Sequence, residues 1–134
     1  MKLIILILIF LIWAGVSFAE SVSLRWDAPT TNTDGTPLTD LLGFYIYQGT
    51  ATGVYGSPVY VGYTLCYIVT GLTAGITYYF AATAFDVSGN ESAYSNEVSK
   101  LIASGDVGNC SDNSIHFNWK NRNKSTGGFN GGFQ

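Results

Sequence analysis

Polar and apolar positions alternate in short runs through most of this chain. Residues 21–26, Ser-Val-Ser-Leu-Arg-Trp, place Val22, Leu24 and Trp26 on one face of a strand and Ser21, Ser23 and Arg25 on the other. The run Phe44-Tyr45-Ile46-Tyr47, bracketed by Gly43 and Gly49, predicts a second strand, and residues 59–61 and 66–69 predict two more. Residues 77–85 form the longest, with Tyr78, Phe80, Ala82 and Ala84 sharing its buried face. Asp86-Val87-Ser88-Gly89-Asn90 then supplies turn chemistry before a last strand over about residues 93–100. Beyond the N-terminal stretch no segment carries a helical apolar period of useful length. The pattern therefore predicts an all-β sandwich.

The N-terminal stretch is different. Residues 3–13 are unbroken apolar after Lys2, and Ala14, Gly15, Ser17 and Ala19 follow. This reads as a secretory signal peptide over residues 1–19, with Ser17 and Ala19 at the −3 and −1 positions of a small-x-small cleavage site. Cleavage leaves a mature chain of 115 residues starting at Glu20, with no membrane span. The alternative is a retained anchor, for which the 17 residues of 3–19 sit at the short limit for crossing about 30 Å of hydrocarbon. The expected location is secreted: extracellular, at the cell surface, or periplasmic.

Four segments carry a family resemblance: Leu24-Arg25-Trp26-Asp27-Ala28-Pro29, Gly43-Phe44-Tyr45-Ile46-Tyr47, Gly71-Leu72-Thr73-Ala74-Gly75-Ile76-Thr77-Tyr78, and Asn90-Glu91-Ser92-Ala93-Tyr94-Ser95-Asn96-Glu97-Val98. Residues 21–100 resemble a fibronectin type III domain. The resemblance implies an immunoglobulin-like β-sandwich of six or seven strands. In it Trp26 plugs the core and Tyr78 makes the tyrosine corner, its hydroxyl bonding back to the chain near Leu72. Ala74 replaces the Pro common in that turn. Only Glu20 and Ser21 precede the Trp26 strand in the mature chain, so the family's first strand is expected to be missing or vestigial. That leaves a sheet edge for another segment or another chain to cover. Val22, Leu24, Trp26, Phe44, Ile46, Tyr67, Val69, Leu72, Tyr78, Phe80 and Val98 make the expected core, the large apolar members contributing roughly 1.5–3 kcal/mol each.

Past Lys100 the composition shifts. Residues 101–134 read as a Gly/Asn/Ser-rich tail, disordered alone, ending Gly127-Gly128-Phe129-Asn130-Gly131-Gly132-Phe133-Gln134. Residues 20–100 hold two basic against seven acidic residues and residues 101–134 three against two, so a basic tail is expected to lie on an acidic domain. The Gly-Gly-Phe units suit self-association, with an idle flexible end as the alternative.

Composition narrows the chemistry. A charged fraction of 11% argues against disorder for the whole chain, and a net charge of −3 argues against nucleic-acid partners. One His, two Cys and nine scattered carboxylates leave little for a catalytic triad, a zinc cluster or a phosphate loop, so no enzyme activity, metal or cofactor is expected. Asp27, Asp34, Asp40, Asp86 and Glu91 lie in or next to loops without the Asp-x-Asp-x-Asp spacing of a calcium site, and read as turn caps. Cys66 and Cys110, exported to an oxidising compartment, suit a disulfide that staples the tail to the sandwich. Free thiols or a bond between chains remain as alternatives.

The candidate binding surface follows from strand parity. With Phe44 and Ile46 inward, Tyr45 and Tyr47 point outward, as do Tyr79, Ala81, Thr83 and Phe85 on the paired strand. Tyr45, Tyr47, Tyr79 and Phe85 are expected to form one exposed aromatic patch, suited to sugar stacking or protein contacts. The plainer alternative is cross-strand packing. Two functions compete. The first, implied by the resemblance, is a secreted non-enzymatic binding or adhesion module for a protein or carbohydrate, using that face or the loops. The second is a structural subunit of an extracellular assembly or filament, paired through the open edge and a sticky tail. A sandwich hosts many unrelated sites, so fold alone leaves both open.

Overall fold

In a computed structural model, residues 19–32, 34–111 and 114–118 are described. The leader, apart from Ala19, and the Gly-Gly-Phe units lie outside them. Seven strands follow in order: β1 (Glu20–Trp26), β2 (Leu41–Gly49), β3 (Val59–Gly62), β4 (Cys66–Leu72), β5 (Thr77–Asp86), β6 (Val98–Leu101) and β7 (Ile115–Phe117). They form two sheets, β4-β1-β7 and β3-β2-β5-β6. Among the described residues there is no helix. The fold is an all-β, immunoglobulin-like sandwich.

Alternation decides which side chains lie between the sheets. Val22, Leu24 and Trp26 from β1 meet Phe44 and Ile46 from β2, Val69 and Leu72 from β4, and Phe80, Ala82 and Ala84 from β5, all buried. The indole of Trp26 meets Phe44 edge-on with ring centroids 5.4 Å apart, a favoured aromatic arrangement. At the bottom of β5 the Thr73 amide donates to the Tyr78 hydroxyl at 3.3 Å, closing the corner behind Leu72. The Tyr78 ring stacks beside Phe80.

The last strand is shorter than expected. Only Val98–Leu101 forms β6, because in the preceding segment two serine side chains replace part of the ladder. The Ala84 and Ala82 amides donate to the Ser92 and Ser95 hydroxyls at 2.9 and 3.0 Å, and those hydroxyls donate onward to the Ala93 and Asn96 carbonyls. Both serines are buried, yet every hydroxyl is satisfied, which removes the cost of enclosing them.

The domain also ends later than Lys100. Ile102 and Phe117 are buried in the core, and β7 runs parallel to β1 with Leu24 opposite Ile115, Arg25 opposite His116 and Trp26 opposite Phe117. Residues 101–118, expected in the tail, thus include a strand. The cause lies at β1: β4 pairs with one edge only, and the backbone groups of the other edge need partners, which β7 supplies. The edge expected to be open is closed by the chain's own C-terminal segment.

The route to β7 is pinned along its length. Gly105 donates its amide to the buried Glu20 carboxylate at 3.0 Å, Ser21 donates to the Asp106 carbonyl at 3.0 Å, and Gly108 donates to the Ser21 hydroxyl at 2.8 Å. Gly108 passes so close over β1 that a Cβ there would lie 2.8 Å from the Val22 carbonyl carbon. This crossing also covers Ser23, which parity points outward and which is nonetheless buried. The disulfide between Cys66 and Cys110 is formed, with Cα atoms 5.9 Å apart, and joins β4 to the segment that leads into β7.

Candidate functional site

The outer face of the four-stranded sheet is built by register. Tyr45 lies opposite Thr83 on β5 and Tyr60 on β3, Tyr47 opposite Ala81, Gly43 opposite Phe85, and Gly49 opposite Tyr79. Directly opposed residues share a face. Tyr60, on an edge strand too short to predict its register from sequence, therefore joins the outward aromatics.

Two loops add rings that strand alternation does not reveal. Beyond β2 the chain turns back at residues 51–54, and the Gly56 amide donates to the Gln48 carbonyl at 2.9 Å. A side chain at Gly49 would overlap the Val54 carbonyl oxygen, so glycine there permits this close return and brings Tyr55 beside Tyr47. In the segment hooked by Ser92 and Ser95, every third residue, Glu91, Tyr94 and Glu97, makes contacts on the outer face.

The result is two aromatic triads. In the first, Tyr45 lies 4.7 Å from Phe85 and 5.8 Å from Tyr60, and Tyr60 lies 5.5 Å from Phe85. In the second, Tyr94 meets Tyr47 at 4.9 Å and Tyr55 at 5.3 Å, both edge-on. Tyr60 is 56% exposed and Tyr94 38%. Tyr45, Tyr47 and Tyr55 are half-buried.

The expected patch of Tyr45, Tyr47, Tyr79 and Phe85 is thus rearranged. Phe85 is not exposed; Tyr45 and Tyr60 pack over it, so it is the floor of the first triad. Ala81 and Thr83 are likewise buried on this face. Tyr79, half-buried at the Gly49 end, belongs to neither triad. Part of the cross-strand packing alternative therefore holds, with exposed tyrosines lying above that packing.

Two carboxylates are fixed among the rings. Glu91 Oε1 accepts from the Tyr47 hydroxyl at 2.7 Å and from the Thr83 hydroxyl. Glu97 accepts from the Thr52 hydroxyl at 2.7 Å, the Gly53 amide at 2.8 Å and the Tyr55 hydroxyl. Burial, then the Glu91 hydrogen bond and charge, push the Tyr47 hydroxyl pKa up to about 12. A face of this kind offers flat apolar area bordered by fixed hydrogen-bond acceptors.

Other acidic residues have local work. The Thr36 hydroxyl and amide donate to Asp34 at 2.6 and 2.9 Å and hold its carboxyl below the usual value. Asp86 receives the Asn90 side-chain and backbone N–H groups at 2.7 and 2.9 Å, capping the turn after β5. Among the described residues no three His, Cys, Asp or Glu side chains gather into a metal site.

No protein-family model matches the chain, and no solved structure matches it significantly. Curated relatives do. The chain is 38% identical over 85 residues to chitinase D of Niallia circulans, covering 63% of this chain and 14% of that protein. It is 39% identical over 82 residues to chitinase A1 of the same organism, covering 60% and 10%. To exoglucanase B of Cellulomonas fimi it is 40% identical over 83 residues, covering 62% and 7%. The chain therefore spans at most about a seventh of these relatives' length, and the likeness is to one domain-sized stretch of each. With the two-sheet topology, the Trp26 plug and the Tyr78 corner, the likeness supports the resemblance of the described domain to fibronectin type III domains.

Proposed function

We propose that this domain is a non-catalytic, carbohydrate-associated module of the cell exterior, which lays the outer face of its four-stranded sheet on a polysaccharide. The observation that carries the reading is the pair of aromatic triads with Glu91 and Glu97 fixed among them. Sugar rings present apolar C–H faces that stack on tyrosine, and their hydroxyls donate to carboxylates. The names of the similar proteins, two chitinases and an exoglucanase, support a glucan or chitin as the class of ligand. The expected leader supports export. The competing reading, a subunit assembling through an open sheet edge, loses its main motive because β7 occupies that edge.

Co-sedimentation with microcrystalline cellulose and with chitin tests the proposal. The wild-type chain should pellet with at least one of them, and a Tyr60→Ala, Tyr94→Ala double variant should bind at least tenfold more weakly, a loss of about 1.4 kcal/mol. Tyr79→Ala should leave binding unchanged. A wild-type chain that stays in the supernatant with both polymers, or a double variant that binds as well as wild type, overturns it.

A further inference from the structure

The sandwich has two flanks. Contacts between β6 and β7 put those edge strands on one side and leave β3 and β4 on the other. The first flank is guarded by charge, with Lys100 in β6 paired to Asp106, and His116 in β7. The strands of the second carry none, because residues 41–85 contain no Asp, Glu, Lys, Arg or His. Sheet edges left without charge, Pro, bulge or cover are templates for another strand.

Of the two uncharged edges, β4 is the better template. β3 has four residues, follows Pro58, and its register against β2 shifts between Phe44 and Tyr45. β4 has seven, contains no Pro, and pairs with β1 without a shift from Cys66 to Val69. The Leu65 carbonyl accepts from the Trp26 amide, so by alternation the backbone groups of Tyr67 and Val69 face β1. Those of Ile68 and Thr70 face away. Cys66 instead turns its amide and carbonyl onto the Thr64 hydroxyl, at 3.3 and 2.8 Å. Burial alternates through Thr70, with Ile68 and Thr70 exposed and Val69 enclosed, before the positive-φ Gly71 ends the run. Among the described residues no strand pairs with this edge.

Charge selects the occupant. Residues 20–118 hold nine acidic against two basic residues, so a second copy is repelled over most of the surface and least at this edge. An antiparallel strand pair has a twofold axis, which makes the edge its own complement.

We propose that β4 pairs antiparallel with β4 of a second copy, Ile68 of each opposite Thr70 of the other. Each such pair exchanges both N–H···O bonds, joining the two three-stranded sheets into one. The β-branched side chains of Ile68 and Thr70 then lie side by side on one face, where cross-strand pairs stabilise. So short a contact belongs with the weak, reversible interfaces. The tyrosine faces lie on the other sheet and stay uncovered, so the pairing stands independently of the polysaccharide reading.

Sedimentation equilibrium of the oxidised chain from micromolar to millimolar concentration tests the pairing. Wild type should pass from monomer to dimer. Ile68→Lys and Thr70→Lys should each raise the dissociation constant at least about tenfold, by setting like charges across the axis. Val59→Lys, on the β3 edge, should leave it unchanged. Thermal unfolding at micromolar concentration, where every chain is monomeric, checks that the variants fold. Ile68 lies beside Gly108, so Thr70→Lys decides if Ile68→Lys alone lowers Tm. Amide exchange at Ile68 and Thr70 should slow as wild-type concentration rises. A wild type that stays monomeric at millimolar concentration, a dimer that survives Thr70→Lys, or one that Val59→Lys abolishes, overturns the pairing.

Discussion

The ring of Phe117 lies 6.0 Å from the indole of Trp26, and the two residues are register partners on adjacent parallel strands. Both are almost fully buried. The core that β1 begins is therefore completed from the other end of the described chain, by a three-residue strand.

Removing that ring should cost as much as removing any large core residue. Phe117→Ala leaves a cavity against Trp26 and is expected to destabilise by about 3–5 kcal/mol. For a domain near 100 residues that lowers Tm by at least about 12 °C. Thermal unfolding followed by tryptophan fluorescence reads it directly, and a change below about 1 kcal/mol would mean that β7 does not complete the core.

The Cys66–Cys110 bond closes a loop of 44 residues between β4 and the approach to β7. In the loop-entropy model such a closure stabilises by about 4 kcal/mol. A Cys66→Ser, Cys110→Ser variant should lose that stability unevenly. Hydrogen exchange should quicken most at Leu24, Trp26 and residues 115–117, where the latch holds the edge, and least at the β2–β5 pairing in the other sheet. Uniform acceleration across both sheets would argue that the bond braces the whole sandwich and not β7 in particular.

Much of this fold was legible because alternation speaks directly to burial. Val22, Leu24, Trp26, Phe44, Ile46 and Phe80 lie where period-two reasoning places them. The seventh strand was not legible, since Ile115-His116-Phe117 is too short to show a period and its neighbours are Asn and Ser. Only the expectation of an uncovered edge on β1 pointed to a partner there. The outer face divides the same way. Tyr45, Tyr47 and Phe85 face outward by parity, but whether Phe85 is exposed depends on Tyr60, whose register is a tertiary property. Tyr55 and Tyr94 arrive on loops held by a close glycine approach and two serine hooks, which no periodicity encodes.

Gly108 tests the crossing itself. A Cβ at this position meets the Val22 backbone and the Ile68 side chain at 2.8 Å, and backbone yields far less readily than a side-chain end. Gly108→Ala should destabilise by about 1–3 kcal/mol, the usual range for overpacking. Chemical denaturation of the oxidised chain measures it, and a neutral result would show that the arch over β1 shifts freely.

Acid should loosen the same arch. The Ala103 amide, donating at 2.8 Å, and Lys100, 3.0 Å away, hold the Asp106 carboxyl below its ordinary value. Burial works the other way at Asp86, but hydrogen bonds from Asn90, Ser88 and Gly89 outweigh it and also leave that pKa lowered. For a depressed carboxyl, the stabilising contribution is complete above the unfolded value of 3.8 and fades as pH falls through the folded one. Unfolding midpoints should thus decline below pH 3.8, and Asp106→Asn should flatten part of that decline. An unchanged acid limb would remove Asp106 from the account.

Alkali acts on the aromatic face through Tyr47, and here the sign is opposite. Its hydroxyl is pushed from 10.0 to about 12, first by burial and then by the hydrogen bond and negative charge of Glu91. A raised pKa means the folded state holds its proton longer than the unfolded one. The contribution is therefore fully present below pH 10, and is lost as pH rises from 10 toward 12. Ionised Tyr47 would place a second negative charge against Glu91 and leave no proton for the 2.7 Å bond between them. Glu91→Gln removes the charge and keeps an acceptor, so it should draw the Tyr47 titration back toward 10 without returning it fully, because burial remains. Tyrosinate absorbance during a pH titration, compared with a Tyr47→Phe chain to assign the late-titrating ring, follows this directly. Should the late phase persist in Tyr47→Phe, it belongs to another tyrosine, and the coupling of Glu91 to this face is weaker than the geometry requires.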